Sequence, residues 1–241
     1  MTDEHVRHTS PSIMPNYLER NGNALMDALI FANGEAQDGP AVRRSFEELE
    51  NTLVVAADGG ARNAAAFGYT PVVVLGDLDS LDQYEAERLE ERGTTILSYS
   101  AEKDETDLEL ALMYVAKQGV KRVVIVGGVG GRLDQTFANV NLLALPDLIE
   151  RDVVLVAGNQ TVRLLRPGRN ILRGEVGDTL SLIPIGGSAL GVSTAGLYYP
   201  LKSEPLRFGQ ARGLSNVLTH PNVQIQFNTG LLLVIHTIGR A

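Results

Sequence analysis

Short, uninterrupted apolar runs alternate with helix-length amphipathic stretches from residue 28 to residue 157, and this alternation limits the fold more than any other property of the chain. The runs fall at residues 28–32, 53–57, 72–75, 95–98, 122–126 and 153–157. Val/Ile/Leu/Ala runs of this kind mark strands buried on both faces, as in parallel sheets. Between them, helices are predicted over residues 42–50, 62–67, 82–92, 108–117 and 133–145. Val42, Phe46 and Leu49 share one face at helical spacing, as do Leu108, Ala111, Leu112 and Val115. Gly68, Gly93, Gly119 and Pro146 supply the stops. Strand and helix in alternation imply βαβ units and a mostly parallel sheet.

From residue 160 the pattern changes to short apolar alternations broken by turn residues such as Pro167-Gly168, Gly177-Asp178 and Gly186-Gly187. Strands are predicted at residues 161–165, 170–172, 179–184, 191–194, 216–218, 223–227 and 231–236, with no helix, which reads as a small sandwich or barrel. The expected division is a polar, flexible tail over residues 1–23, an α/β domain over 24–158 and an all-β domain over 159–241. The tail carries Asp3 and Glu4 and has no apolar core, unlike a secretory or transit peptide. No apolar run approaches the ~20 residues of a membrane span. The chain has no cysteine, which excludes disulfides, zinc thiolates and thiol catalysis. A net charge of −8 disfavours a nucleic-acid partner. A cytoplasmic enzyme is expected.

Acidic and glycine-rich segments follow the strand-like runs. They are Asp58-Gly59-Gly60, Gly76-Asp77-Leu78-Asp79-Ser80, Lys103-Asp104-Glu105-Thr106-Asp107 and Gly127-Gly128-Val129-Gly130-Gly131-Arg132-Leu133-Asp134-Gln135. Ligands in open α/β sheets bind at the carboxyl ends of the strands. Carboxylates there can hold Mg²⁺, and glycine N–H groups can approach phosphate. Asp77 and Asp79, two residues apart, repel one another unless a cation lies between them. Thr106 reads equally as a helix N-cap, with Glu109 completing a capping box, and as part of the site. Asp58 fits an N-cap, a metal ligand or a substrate contact. The glycine stretch precedes a helix, where phosphate finds N–H donors, and Arg132 can add a bidentate contact. No Lys follows it, so a Walker-type loop is excluded. His5, His8, His220 and His236 have neither metal-ligand nor triad spacing, and no G-x-S-x-G element is present. Phosphoryl or nucleotidyl transfer remains.

At these residues the chain resembles the thiamine pyrophosphokinase family. The likeness is carried by Asp58-Gly59-Gly60, Gly76-Asp77-x-Asp79-Ser80, Asp104-x-Thr106-Asp107 and Gly-Gly-x-Gly-Gly-Arg132-x-Asp134-Gln135 followed by Asn139. Gly196-Leu197-Tyr198-Tyr199-x-Leu201 and Ser215-Asn216 match more loosely. The resemblance implies a Rossmann-like, mostly parallel α/β/α sandwich followed by a C-terminal β-sandwich. It implies transfer of a pyrophosphoryl group from ATP to the hydroxyethyl oxygen of thiamine, releasing AMP, in a homodimer with thiamine at the subunit interface. It places Mg²⁺ on Asp77, Asp79 and Asp107, with Asp58 in the same acidic centre. Thr106, Gly130, Gly131 and Arg132 would meet the nucleotide phosphates, with Asp134 and Gln135 supporting that loop. Ser215 and Asn216 would lie near the thiamine pyrimidine.

The chain departs from the family pattern at the stacking surface. Members often carry Lys-Trp where this chain has Tyr198-Tyr199, and some place a late Trp where it has Leu233. It has no Trp at all. Either Asp58 or Asp107 can take the hydroxyl proton. Two other readings fit the same motifs: a pyrophosphokinase acting on another heterocyclic alcohol such as a pterin, and a non-catalytic nucleotide sensor.

Overall fold

The computed structural model describes residues 27–240, so the expected tail over residues 1–23 lies outside the described residues. The chain forms two compact units. The first runs to Asp38 and resumes over Arg44–Ala157; the second comprises Gly39–Arg43 and the chain from Gly158 onward.

The first unit is built on a parallel sheet of β1 (Asp27–Phe31), β2 (Thr52–Ala57), β3 (Val73–Gly76), β4 (Thr95–Ser98), β5 (Arg122–Val126) and β6 (Asp152–Ala157). Their order is β4-β3-β2-β1-β5-β6, and every adjacent pair is parallel. The interleaved helices are α1 (Pro40–Glu47), α2 (Gly60–Ala66), α3 (Gln83–Glu91), α4 (Asp107–Lys117) and α5 (Leu133–Leu142). The uninterrupted apolar runs have their expected cause: β1 and β3 are buried at every position. Each fully buried Val, Leu, Ile or Phe contributes roughly 1.5–3 kcal/mol. Helix α4 buries Leu108, Leu110, Ala111, Leu112, Tyr114, Val115 and Ala116. Phe31, Phe46, Phe67 and Tyr69 pack ring against ring with centroids 5.5–6.3 Å apart.

Local signals set the helix starts. Asp82 caps α3 in a reciprocal box: its Oδ1 accepts from Glu85 N at 2.8 Å, and Glu85 Oε2 accepts from Asp82 N at 3.2 Å. Thr106 Oγ1 accepts from Glu109 N at 3.2 Å, the Thr half of the expected box. The helix expected to reach residue 145 ends at Leu142, and a 3₁₀ turn follows over Pro146–Leu148. Pro146 opens that turn, where its missing N–H does no harm. Among the described residues no helix is long and apolar enough to cross a membrane.

The second unit is all β: β7 (Gln160–Leu165), β8 (Gly168–Arg173), β9 (Thr179–Ala195), β10 (Glu204–Leu206), β11 (Asn216–Val217), β12 (Asn222–Phe227) and β13 (Thr229–Thr237). The order is β7-β13-β9-β12-β8, with β10 and β11 also on β9, and the pairs are antiparallel. The two strands expected at residues 179–184 and 191–194 are one continuous strand. Its register against β13 shifts where Ile185 pairs Leu231 and Leu190 pairs Thr229. The Gly186-Gly187 pair therefore bulges the strand instead of ending it. The first half of β9 then pairs β13 and its end pairs β12. Strand β10 was not expected because it contains Pro205, which a strand accepts at an edge.

Period-two alternation fills the core of this unit. Leu180 and Leu182, Val223, Ile225 and Phe227, and Leu232 and Val234 all point into one cluster. Beside it, Asp178 is buried and fully used. Its Oδ2 lies 2.7 Å from His236 Nε2 and accepts from Glu175 N at 2.8 Å, and its Oδ1 accepts from Gly239 N at 2.8 Å. Burial works against its charge, but the two amides and His236 outweigh it and hold its pKa below the ordinary carboxylate value. A lowered carboxylate pKa stabilises the fold above the unfolded value of about 4, and this contribution is lost as pH falls through the lower folded value. Asp178→Ala is expected to lower stability by roughly 2–4 kcal/mol at pH 7 in urea titrations. The difference from the parent should narrow below about pH 4.

Candidate active site

The loops after β1 to β5 open into one cavity of about 680 Å³ in the first unit. Its position follows from the strand order: the chain lays β1 to β4 toward one edge and β5 and β6 toward the other. The loops after β1 and β5 diverge at this reversal and leave a crevice. They are also pinned together, with Ala32 N donating to Val126 O at 2.8 Å and Gly34 N to Gly127 O at 2.9 Å. Gly127 has φ +75°, and a Cβ there would stand 2.5 Å from Ala32 O, so no larger residue fits this junction.

Three carboxylates converge on the cavity. Asp58, Asp77 and Asp107 each present one oxygen, and these oxygens lie within 4.8 Å of one another. Asp58 is 3% exposed and sits at φ +48° directly after β2. Its Oδ2 accepts from Asn33 Nδ2 at 3.3 Å, while its buried Oδ1 has no hydrogen-bond partner. Asp107 is the first residue of α4, and its buried Oδ1 faces the Lys103 ammonium. Burial raises the Asp107 pKa; nearby Lys103 opposes that shift, and the charges of Asp77 and Asp58 reinforce it. Lys103 Nζ lies 2.9 Å from Asp107 Oδ1 and 3.8 Å from Asp77 Oδ2.

Of the expected set Asp77, Asp79 and Asp107, Asp77 and Asp107 fall in the cluster with Asp58, and Asp79 lines the same cavity. Between Asp77 and Asp79 the backbone turns through Leu78 at φ +63°. That turn leaves Asp79 exposed on the cavity wall, accepting from Ser80 Oγ at 3.1 Å, while its N–H donates to Asp77 Oδ1 at 3.2 Å. The i, i+2 spacing sends both side chains the same way only on an extended segment.

Thr106, Gly130, Gly131, Arg132 and Gln135 also line the cavity. Asp134 does not line it; instead it holds Arg132, accepting from Nε at 3.2 Å and from Nη2 at 2.6 Å. Asn139 fixes the glycine loop from α5, donating to Gly128 O at 2.9 Å. Asn33 is a site residue outside the sequence motifs, and Lys103 is one that opens the third acidic segment without a role of its own there. Asn33 follows β1 just as the acids follow their strands, and Lys103 stands four residues before Asp107.

The residues expected to meet thiamine lie in the second unit, and two of them are otherwise committed. Asn216 Oδ1 accepts from Tyr199 N at 3.0 Å and Nδ2 donates to Tyr199 O at 2.7 Å, so its amide holds the tyrosine turn. Leu233 is 6% exposed in β13, which is paired on both sides, so it offers no open surface for a ring. Ser215 sits at φ +54° with its N–H donating to Ser181 Oγ at 3.1 Å. Tyr198 and Tyr199 are exposed, with ring centroids 4.8 Å apart.

Comparison with known proteins gives the family. The family model for the thiamin pyrophosphokinase catalytic domain matches residues 47–155, and that for the thiamin pyrophosphokinase vitamin B1 binding domain matches residues 169–232. Thiamine pyrophosphokinase of Bacillus subtilis is 30% identical over 189 residues, 78% of this chain and 88% of that protein. Thiamine pyrophosphokinase 1 of Arabidopsis thaliana is 28% identical over 69% of this chain and 66% of its own length. The crystal structure of the Bacillus subtilis enzyme superposes with a TM-score of 0.78 at 26% identity, over 88% of this chain and 99% of that one. Yeast thiamin pyrophosphokinase shares the fold with a TM-score of 0.72 at 17% identity, over 97% of this chain and 95% of its own. The chain belongs to the thiamin pyrophosphokinase family.

Proposed function

We propose that the cavity of the first unit binds Mg²⁺ and ATP, and that the chain transfers the β,γ-pyrophosphoryl group to the hydroxyethyl oxygen of thiamine. The observation that carries this reading is the convergence of Asp58, Asp77 and Asp107, with a buried oxygen of Asp58 lacking a hydrogen-bond partner. Buried carboxylate oxygens are expensive to leave unpaired, and three hard oxygen donors in one place suit Mg²⁺. When bound, the ion would polarise phosphoryl oxygens and balance charge developing on them. The sheet order with its reversal between β1 and β5 supports a Rossmann-like assignment for this unit.

The reaction forms a bond from the thiamine oxygen to the β-phosphorus and breaks the bond from that phosphorus to the α,β-bridging oxygen, which leaves with AMP. The hydroxyl proton passes to a carboxylate of the cluster, Asp58 or Asp107. Little base strength is needed when the transition state is loose. Arg132 keeps Nε and Nη2 on Asp134 and turns Nη1 toward phosphate. Glycine N–H groups of the loop after β5 and the start of α5 add donors for the leaving nucleotide.

The second unit is assigned to thiamine, in a cytoplasmic homodimer that brings Ser215 and the tyrosine turn to the acceptor. Tyr198 and Tyr199, exposed and held by Asn216, supply the aromatic surface that the missing Trp would provide.

AMP release from ATP is expected only when thiamine is present. Release with a pterin alcohol alone would assign a different acceptor, and tight ATP binding without AMP would make the chain a sensor. Asp77→Asn should lower kcat by roughly two or more orders of magnitude with little change in unfolding midpoint. Near-normal Mg²⁺-dependent turnover would remove Asp77 from the metal centre.

Gly76, with φ +151°, lets the carboxylates close up: a Cβ there would stand 3.0 Å from Asp107 Cγ and 3.1 Å from Asp58 Cβ. Gly76→Ala is expected to reduce kcat/KM by about a hundredfold. Its unfolding free energy should fall by only about 1–2 kcal/mol, measured in urea.

A further inference from the structure

Lys103 is the cation nearest the triad, and motif reading gave it no role. Its side chain is 11% exposed and lines the cavity beside Thr106 and Asp107. One ammonium faces three carboxylates, 2.9 Å from Asp107 Oδ1 and 3.8 Å from Asp77 Oδ2. Lys103 reaches these carboxylates at the end of a flexible four-carbon stem, so its ammonium can move to another anion without a backbone change. Asp58 Oδ1 stays buried and unpartnered beside this ion pair, so Lys103 does not satisfy the cluster.

We propose that Lys103 is a displaceable counter-ion. It competes with the divalent cation for Asp77 and Asp107, and it moves to the phosphate oxygens that arrive with ATP. The proposal rests on the Mg²⁺–ATP reading given above. A cation arriving alone must displace the ammonium and leave it without a partner in a partly closed cavity. A cation arriving with polyphosphate gives the ammonium a new anion. Cation and nucleotide therefore bind with positive coupling, and by linkage each raises the other's affinity by the same factor. The ammonium also keeps the carboxylates from repelling one another before substrate arrives. Lys103 becomes a phosphate contact for the transferred group only after this exchange.

The test is Mn²⁺ binding to the full chain by electron paramagnetic resonance, with and without a non-hydrolysable ATP analogue, on the parent, Lys103→Met and Lys103→Arg. Without the analogue, Lys103→Met should bind Mn²⁺ roughly tenfold more tightly than the parent, because a competing charge is gone. The analogue should strengthen Mn²⁺ binding to the parent and to Lys103→Arg, but much less to Lys103→Met. The kcat of Lys103→Met should fall, with partial recovery in Lys103→Arg. If Lys103→Met binds free Mn²⁺ no more tightly than the parent while the analogue strengthens both alike, the counter-ion role is overturned and the metal centre stands. If the parent binds no Mn²⁺ even with the analogue, the metal centre and the counter-ion role fail together. Lys103→Gln repeats the comparison should the Met variant unfold at the assay temperature.

Discussion

Mutual repulsion among Asp58, Asp77 and Asp107 is the constraint around which the first unit is arranged. Two carboxylates about 5 Å apart repel by roughly 3 kcal/mol at an effective dielectric constant of 20. Three such pairs together would rival the net stability of an ordinary domain. The chain offsets this from several directions. Asp107 stands at the first residue of α4, where the helix end favours negative charge. Asn33 donates to Asp58, and Lys103 lies against Asp77 and Asp107. The compensation stops short, because the buried Oδ1 of Asp58 remains without a hydrogen-bond partner. A merely structural polar cluster would be expected to close its hydrogen bonds. The shortfall is the property that makes the cluster receptive to a cation.

The parallel sheet is what brings these groups together from distant points of the sequence. Asp58, Asp77 and Asp107 follow β2, β3 and β4 respectively, which are neighbours in the sheet. Parallel strands end on the same side, so three consecutive βα connections deliver three carboxylates to one edge. The fourth contribution, the glycine loop after β5, comes from beyond β1 in the strand order. Acid and phosphate-binding halves thus lie on the two sides of the reversal. The electrostatics also separate there: acids gather after β2 to β4, and the loop after β5 presents Arg132 and backbone N–H groups.

Strand placement was legible because burial on both faces writes itself as an unbroken apolar run. Residues 95–98 and 122–126 coincide with β4 and β5, and the other runs differ by a residue or so at their ends. The cavity was legible for the same reason, since motifs placed after strands inherit the strands' geometry. Finer placement was not legible. Asp79 shares a motif and a cavity with Asp77, and the backbone between them turns through Leu78 in the left-handed region. Leu is a poor predictor of positive φ, so no residue type announced the turn. Lys103 opens the third acidic segment, but its i, i+4 relation to Asp107 looks like any surface pair. In the second unit, Gly186-Gly187 signals a turn and a bulge equally well, so β9 read as two strands. Leu233 stands where some family members carry a late Trp, but its burial depends on strand pairing that only the tertiary structure supplies.

The loop carrying Asp77 is anchored from outside the cavity. Arg62 forks onto Glu85 at 2.7 and 2.6 Å, and its Nη2 also donates to Ser80 O at 2.6 Å. Glu85 is at the same time the returning half of the α3 capping box. Arg62 lies mostly in solvent, so this pair adds little to global stability. Its bidentate geometry does something different: it ties α2, the start of α3 and the Gly76–Ser80 turn to one guanidinium. Ser80 then passes that restraint inward, because its Oγ accepts from Asn33 Nδ2 at 3.1 Å and donates to Asp79. Asn33 in turn touches Asp58. A chain of hydrogen bonds therefore runs from an exposed arginine to the most buried carboxylate of the triad. Like charges brought together need rigid backbones, since a mobile loop would simply swing one of them into water. The anchoring of this loop by a solvent-side clamp follows from the same repulsion that the cavity concentrates.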